Sequence, residues 1–389
     1  MFSRINAWLH LWLGLIAGIV VIIVSVTGCV LVFEAELKYL FTDYIRVDEQ
    51  EAEMQVPPSA IYQSVSAQYP DKEVASVWYY GLDKSVKVNL EGSDSLIFVN
   101  PYTAEILGVV DHEDFFHFMD EGHRHLWLPL AIGRPIVGWA TFTFVVLLIS
   151  GTILWWPKTG RRRHLRQAFT VNWKGRFKRI NYDLHNVLGF YALTFAAVMA
   201  LTGLIMSFPW FRQSVVWTTG GYPDTPKAQV VSAGTPPDSV VATLNEPLWV
   251  ADQIWYTVRR EIARHNTEAV IVHFPHDDER EVYACTDMYA GAWRDLYFDR
   301  STLALLPRSA KPMADTNPTE WTMRSNYGLH TGEVGGLTTK ILYFFASLIC
   351  ASLPITGFYI WWGKKAKKRK KKRSRTVTRK SGAVQYNSY

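Results

Sequence analysis

Cysteine is scarce in this chain of 389 residues, which contains only Cys29, Cys285 and Cys350. Two of them lie in apolar segments and one lies in a polar segment, so they do not indicate a disulfide framework. The chain has no Cys-x-x-Cys-His motif, which excludes covalently attached haem of the c type. It also has no cysteine cluster that would hold an iron–sulfur centre.

A nucleic-acid-binding protein is not indicated either, although the formal net charge is +6. The basic residues are concentrated beside apolar segments, where positive charge sets membrane topology. The 16 tryptophans suit a protein with membrane interfaces, where amphipathic rings collect. Charged residues still make up 20% of the chain, so we expect much of it to lie in water.

Four apolar segments are each long enough to cross a bilayer. The first is longer than the apolar core of a signal peptide, so we expect it to be retained. We predict an α-helical membrane protein with a four-helix transmembrane bundle and two α+β domains, organised as an internal tandem repeat. The predicted segments are span 1 (1–34), domain 1 (35–134), span 2 (135–157), a basic loop (158–183), span 3 (184–208), domain 2 (209–336), span 4 (337–362) and a basic tail (363–389).

Both polar segments show a helical pattern followed by alternation of apolar and polar residues, which predicts strands. In domain 1 we predict a helix at 59–68 and strands near 74–80, 85–90 and 96–99. In domain 2 we predict a helix near 250–264 and strands near 269–273, 281–285 and 292–298. Each polar segment is therefore predicted to be a small α+β unit.

The basic loop and the basic tail set the predicted topology. By the positive-inside rule both lie in the cytoplasm. Both termini are then cytoplasmic, and both α+β domains lie on the outer side of the membrane. We expect the tail to be disordered and to lie along anionic lipid.

Spans 1 and 3 carry the same motif, LHLWLG…TG and LHNVLG…TG. In both copies a stripe of small residues runs from one histidine along one helix face. Helix packing explains the glycines, but it does not explain an imidazole inside an apolar segment, where ionisable groups are costly and usually functional. The shared positions are His10, Gly14, Thr27 and Gly28 in the first copy and His185, Gly189, Thr202 and Gly203 in the second.

The topology places four histidines in two pairs. His10 and His185 lie near the cytoplasmic ends of their spans, and His125 and His330 precede spans 2 and 4 on the outer side. The repeat brings each pair together, and two opposed imidazoles in an apolar site suit the axial ligation of haem iron. Zinc would want more ligands than the spans supply. The alternative is that some of these histidines meet lipid head groups.

Four further residues leave alternatives open. His123 lies two residues before His125 and could replace it as the outer ligand. Arg134 is either the partner of a haem propionate or an interfacial anchor. His112 and His117 either bind a metal ion or belong to a solvated polar loop.

Taken together, the LHxxLG…TG spans, the outer LHTGxxGG and GRxIVG segments and the TG…WW ends resemble the PepSY-associated transmembrane family. That family includes iron-regulated inner-membrane proteins and ferric-siderophore reductases. The resemblance implies a four-helix core, two periplasmic PepSY domains and b-type haems. The family histidines fall on His10, His125, His185 and His330. The turns NPYTAEIL and DRSTLALL depart from the family pattern because both lack its usual glycine.

The resemblance implies an oxidoreductase. Electrons would enter at an inner haem b, cross to an outer haem b and reduce a periplasmic ferric siderophore. One shared haem is the alternative to two. The tail replaces the flavin domain that some relatives carry, so we expect a separate cytoplasmic donor or a quinol. The rival functions are a haem subunit for another redox partner and a membrane-anchored module that binds peptide or protein.

Overall fold

The computed structural model describes residues 2–111, 114–157, 159, 161–221, 246–263, 269–276, 278–288 and 290–384. The chain forms two compact units. We call them the helical unit and the sheet unit. The helical unit comprises Met1–Val32, Met119–Phe208 and Lys340–Tyr389, and the sheet unit comprises Phe33–Phe118 and Pro209–Thr339.

The helices and strands are numbered in chain order over the described residues. The α-helices are α1 (Phe2–Leu31), α2 (Glu34–Phe41), α3 (Pro58–Gln68), α4 (Phe115–His125), α5 (Leu130–Trp155), α6 (Arg162–Phe169), α7 (Phe177–Ser207), α8 (Pro209–Thr218), α9 (Glu246–Thr257), α10 (Pro318–Thr331) and α11 (Gly336–Val384). The strands are β1 (Val74–Tyr79), β2 (Val86–Leu90), β3 (Ser95–Val99), β4 (Ile106–Asp111), β5 (Val270–His273), β6 (Glu281–Thr286) and β7 (Arg294–Asp299).

In the part of the chain that the structure describes, four helices are long and apolar enough to cross a membrane, as the sequence predicts. At about 1.5 Å per residue, each exceeds the roughly 30 Å hydrocarbon core of a bilayer. Their outward surfaces are apolar, and Ile16 and Ile19 on α1 are 74% and 71% exposed. Such surfaces suit contact with lipid. The candidate spans are Ser3–Leu31, Leu130–Trp155, Phe177–Ser207 and Glu333–Gly363.

The basic tail differs from the expectation of disorder, because α11 continues without a break from the fourth span to Val384. Lysine and arginine are good helix formers, and the segment contains no proline after Pro354. Once a span has nucleated the helix, adding further residues is far easier than starting a new helix. The tail is therefore a helical extension of span 4.

Among its described residues, the sheet unit holds one antiparallel sheet of seven strands, in the order β4-β3-β2-β1-β5-β6-β7. We expected two domains, and the structure instead shows strands of both polar segments in one shared sheet. The junction is the pairing of β1 with β5, in which Val77 lies opposite Val272. Alone, each half would leave one of these strands as an unpaired edge, which is an exposed template for association. Pairing the two halves removes both edges.

The core of the sheet unit lies on one face of this sheet, beneath α3 and α9. Successive strand residues face opposite sides of the sheet, and Val77, Val272 and Leu296 lie on the side that forms the core. The two helices are joined by Asp252, whose carboxylate accepts hydrogen bonds from the Ser59 backbone N–H at 2.8 Å and hydroxyl at 2.6 Å. The sheet unit therefore packs one helix from each polar segment on a common sheet.

Candidate haem-binding site

His10 on α1 and His185 on α7 lie side by side inside the helical unit. Their ring centroids are 6.4 Å apart, and the ring planes meet at 88°. Two imidazoles that bind one metal from opposite sides have centroids roughly 6 Å apart, since each metal–nitrogen bond is about 2 Å and each nitrogen lies about 1 Å from its ring centre. The structure thus brings the predicted inner pair to a spacing that suits a shared metal.

The His10 ring is fixed by α5. Its Nδ1 lies 2.8 Å from the Ser150 hydroxyl oxygen, and that hydroxyl donates its own hydrogen to the Leu147 carbonyl oxygen at 3.1 Å. The hydroxyl must then accept the hydrogen of His10 Nδ1–H, which leaves Nε2 with a free lone pair. Asn6, one turn earlier in α1, donates to the Ser150 carbonyl oxygen at 3.0 Å and ties the same helices together.

The His185 ring is fixed by α11 through the same set of contacts. Its Nδ1 lies 2.9 Å from the Thr356 hydroxyl oxygen, and that hydroxyl donates to the Ser352 carbonyl oxygen at 3.0 Å. Asn181 donates to the Thr356 carbonyl oxygen at 3.0 Å. His185 is therefore also oriented with a bare Nε2. That one arrangement occurs twice agrees with a tandem repeat.

A glycine follows each of these hydroxyl residues and leaves room for the imidazole. A Cβ at Gly151 would lie 3.1 Å from His10 Cε1, and a Cβ at Gly357 would lie 3.4 Å from His185 Cε1. In each pair, the hydroxyl residue hydrogen bonds to the ring nitrogen, and the glycine leaves space for the edge of the ring. We call such a pair an imidazole seat.

Both histidines line a cavity of about 380 Å³ in the helical unit. One wall is aromatic, because Trp155 and Phe190 stack at 4.1 Å between ring centroids. The described lining residues include no Asp, Glu, Lys, Arg or Cys. Backbone approaches the cavity closely at five glycines, which are Gly14, Gly18, Gly151, Gly189 and Gly357.

This donor set fits haem better than a bare metal ion. A metal held by protein alone usually needs three or four side-chain ligands, and the described residues contain no group of three or more His, Cys, Asp or Glu that could hold one. Haem iron takes four nitrogens from its porphyrin and needs only axial ligands from the protein. Two imidazoles with bare Nε2 atoms, in an apolar cavity, meet that need.

On α4, the structure favours His123 over His125 as the equivalent of the inner histidines. His123 Nδ1 lies 2.9 Å from the Val24 carbonyl oxygen and 3.1 Å from the Thr27 hydroxyl oxygen. A Cβ at Gly28 would lie 3.2 Å from His123 Cε1. Thr27–Gly28 is thus a third imidazole seat, and His123 occupies it.

His125 points elsewhere. Its Nδ1 lies 2.7 Å from the Leu128 carbonyl oxygen, and its Nε2 lies 3.9 Å from the Glu121 carboxylate. His330 lies in the last turn of α10, in the sheet unit. An outer histidine pair therefore stays a prediction from the sequence, with His123 as its better-held member on α4.

Arg134 makes a structural contact in the helical unit. Its side chain is exposed, and one guanidinium nitrogen donates to the Met206 carbonyl oxygen at 2.9 Å. Carbonyl groups in the last turn of a helix lack partners within it, and Met206 lies one residue before the end of α7. Arg134 therefore caps α7, and a contact with a haem propionate stays a prediction.

Four further histidines, all in the described part of the chain, do not line this cavity. His117 lies in the first turn of α4, where its backbone N–H donates to the Asp114 carboxylate at 2.8 Å. His164 Nδ1 lies 2.6 Å from the Thr159 hydroxyl oxygen. His112 and His265 lie outside the described residues. His273 and His276 lie in the sheet unit.

Sequence reasoning missed the two asparagines and the partners of the Ser/Thr-Gly pairs. Asn6 and Asn181 each precede a motif histidine by four residues, and that repeated spacing was the available signal. The pairs were noticed as repeat markers, but their function as seats depends on which helices pack together. That information is not local in the sequence.

Comparison with known proteins agrees with the motifs. The family model described as the PepSY-associated TM region matches residues 7–364. No curated protein matches the chain. Because the match covers all four candidate spans almost completely, the chain belongs to the PepSY-associated transmembrane family.

Proposed function

We propose that this protein is a b-type haem oxidoreductase of the bacterial inner membrane that passes electrons to a ferric siderophore in the periplasm. The observation that carries the proposal is the His10–His185 pair, with centroids 6.4 Å apart in an apolar cavity. Family membership supports it, because the resemblance implies b-type haem and siderophore reduction.

The bound haem would supply a one-electron carrier in the membrane. The protein's own residues determine how it is held. His10 and His185 would each present Nε2 to the iron, while Ser150 and Thr356 fix the opposite ring nitrogens. An oriented second hydrogen bond fixes the tautomer of a ligating histidine and raises its basicity. The lining is mostly apolar and would limit the access of water to the site.

The location of this pair favours electron entry from the cytoplasm. His10 lies in the first third of α1, and His185 follows the basic segment 161–179 by a few residues. If the basic loop is cytoplasmic, this pair is the inner one, and a separate cytoplasmic donor or a quinol would reduce it. The sequence predicts that His330 and either His125 or His123 would hold a second haem, which would supply a further one-electron carrier for the proposed path.

The test is the optical spectrum and pyridine haemochrome of the detergent-purified protein after expression with added haem. We expect the bands of low-spin bis-histidine haem b. His10→Ala and His185→Ala should each remove the haem of the inner site, while His164→Ala, which changes an exposed histidine outside the cavity, should retain it. A colourless wild-type protein, or wild-type haem content in both inner variants, would refute the proposal.

Stopped-flow mixing of the reduced protein with ferric siderophores then tests the acceptor. Oxidation of the haem by the chelate, with release of Fe(II) to a ferrous-specific dye, is expected. A protein that binds haem but is not oxidised by any ferric chelate would instead be an electron-transfer subunit for another redox partner.

A further inference from the structure

The segment that joins α5 to α7, residues 156–176, is strongly basic and contains no Asp or Glu. The positive-inside rule places this segment in the cytoplasm. Membrane topology requires only its charge. It does not explain why part of the segment folds into α6, a helix of eight residues with fixed contacts.

The carboxyl-terminal end of α6 packs against the aromatic wall of the cavity that contains His10 and His185. The Phe169 ring centroid lies 5.2 Å from that of Trp155 and 5.1 Å from that of Phe190. Trp155 Nε1 also donates to the Ala168 carbonyl oxygen at 3.0 Å. Because Trp155 and Phe190 line the cavity, Phe169 lies directly behind its wall.

The exposed part of α6 is positively charged. Arg161 precedes the helix, Arg162 begins it and Arg166 lies in its middle, and all three side chains are exposed. Arg166 is about 4.5 Å along the helix axis from Phe169, since each residue adds about 1.5 Å. A macromolecule bound at these arginines would therefore come close to the ring behind the cavity wall.

The positive charge of this segment is largely uncompensated. Arg179, at the start of α7, pairs with the buried Asp183 at 2.8 Å. Like charges concentrated on one segment repel each other, so binding of an acidic surface would relieve this repulsion as well as add attraction. The exposed cations that form no ion pair with any residue in the described part of the chain are Arg161, Arg162, Arg166, Lys174, Arg176 and Lys178.

The positive surface continues to the start of the basic tail. A Cβ at Gly363 of α11 would lie 3.8 Å from Lys178 Cε, so the tail begins beside the first turns of α7. Residues 364–389 again contain no Asp or Glu. A partner that fits this side of the helical unit is therefore acidic.

An acidic protein fits α6 better than anionic lipid does. Lipid head groups would satisfy the charge, but they would gain nothing from the packing of α6 against the cavity wall. An electron donor must come close to its acceptor, and α6 offers positive charge and proximity to the cavity together. This combination favours a protein that both docks and delivers electrons.

We propose that α6 is the docking site of an acidic, soluble protein that donates single electrons, an inference that rests on the proposed function. The arginines of α6 attract and orient the donor. Phe169 and the cavity wall then lie between the docked donor and the inner haem. The donor loses one electron and the ferric haem gains it, so no bond forms or breaks. The proposal assigns the electron source to a soluble protein and not to a quinol.

The test uses the full-length protein, expressed with added haem and held in nanodiscs of phosphatidylcholine. The probe is reduced flavodoxin, an acidic flavoprotein that transfers single electrons, and haem reduction is followed by stopped flow. We expect the second-order rate constant to fall steeply with added salt. The double variant Arg162→Gln/Arg166→Gln should lower it about fivefold at low salt. Duroquinol, a small uncharged reductant, should reduce this variant and the wild type at the same rate.

The matched control is Lys370→Gln/Lys371→Gln, which removes the same charge from the tail and leaves α6 unchanged. This control should retain nearly the wild-type rate with flavodoxin. An equal loss in both double variants, a rate that does not depend on salt, or a wild-type rate in the α6 variant would overturn the proposal. So would loss of the effect of the α6 substitutions when phosphatidylglycerol is added to the nanodiscs, because lipid would then occupy the surface.

Binding of oxidised flavodoxin to the same nanodiscs, measured by biolayer interferometry, does not depend on haem. A protein that binds flavodoxin through α6 but contains no haem would refute the proposed function and leave the docking site standing. A protein whose haem is reduced by duroquinol, but whose binding of flavodoxin is unchanged by the α6 substitutions, would refute the docking site alone.

Discussion

The Ser150 hydroxyl of α5 accepts a hydrogen bond of 2.8 Å from His10 Nδ1 of α1. A single hydroxyl on a neighbouring helix thus decides which nitrogen of the imidazole faces the cavity. This relationship gives the histidine a defined orientation before any cofactor is bound.

Ser150→Ala should lower the affinity of the inner site for haem, although His10 is still present. Loss of an oriented partner of a ligating histidine typically costs about tenfold or more in affinity. Transfer of haem from the purified variant to apomyoglobin should therefore be about tenfold faster than from the wild type. Thr356→Val should behave alike, because Thr356 has the same contact with His185.

The control for this comparison is Thr141→Val, also on α5. The Thr141 hydroxyl donates only to the Val137 carbonyl oxygen of its own helix, at 2.8 Å. Haem transfer from this variant should match the wild type. Equal rates in all four proteins would show that the seat hydroxyls do not act on the histidines.

The glycines of the seats should tolerate even one methyl group poorly. Gly151→Ala would place a Cβ 3.1 Å from His10 Cε1, closer than carbon atoms normally approach, so the ring must shift. At Gly363, which does not line the cavity, the nearest atom, Lys178 Cε, is 3.8 Å away, an ordinary contact. We expect Gly151→Ala to lower haem content or change the low-spin electron paramagnetic resonance signal, and Gly363→Ala to resemble the wild type. The reverse order of effects would contradict the described packing.

The two histidines of α4 can be separated by mutation. His123 sits on Thr27–Gly28, while His125 bonds to Leu128 nearby in the chain. If a second haem is bound, His123→Ala should remove about half of the haem measured by pyridine haemochrome. His125→Ala should retain it. Loss of haem in His125→Ala alone would restore the assignment that the sequence first suggested.

The pH dependence of stability should reveal the buried Asp252 of the sheet unit. Burial raises the pKa of this carboxyl above its ordinary value of about 4, although hydrogen bonds from Ser59 oppose the shift. Because the folded state holds the proton more tightly, the stabilising contribution is complete below about pH 4 and is lost as the pH rises through the folded pKa.

The side chain in Asp252→Asn cannot ionise, so the stability of this variant should lack the pH dependence that Asp252 contributes. The thermal midpoint of the wild type minus that of Asp252→Asn, measured by circular dichroism from about pH 4 to pH 7, should fall with rising pH. A difference that rises with pH would mean that the hydrogen bonds from Ser59 outweigh burial. Glu246→Gln is a suitable control, because that carboxylate is exposed and paired with Arg300.

Much of the local structure follows from the sequence. The predicted strands at 85–90 and 292–298 correspond to β2 (Val86–Leu90) and β7 (Arg294–Asp299), because period-2 burial leaves a direct trace in the residue pattern. The four spans can be predicted equally well from the sequence, because each needs an unbroken apolar run. The His10–His185 proximity could be predicted because a repeated motif implies repeated geometry.

The features that the sequence did not predict depend on contacts between segments far apart in the chain. The pairing of β1 with β5 joins residues nearly two hundred positions apart, and no local pattern distinguishes it from two separate sheets. The choice between His123 and His125 depends on α4, which the histidine-rich segment did not reveal. Two residues apart on a helix, the two side chains point about 200° away from each other, so only one of them can meet Thr27.

The double set of imidazole contacts has a consequence for biosynthesis. His10 near the amino terminus is oriented by the second membrane helix, whereas His185 is oriented by Thr356 on the last one. All four candidate spans must therefore be synthesised before this cavity is complete. Under the proposed function, capture of haem by both rings would be a late event in assembly, because a chain that stops before span 4 holds only one imidazole oriented by its hydroxyl partner.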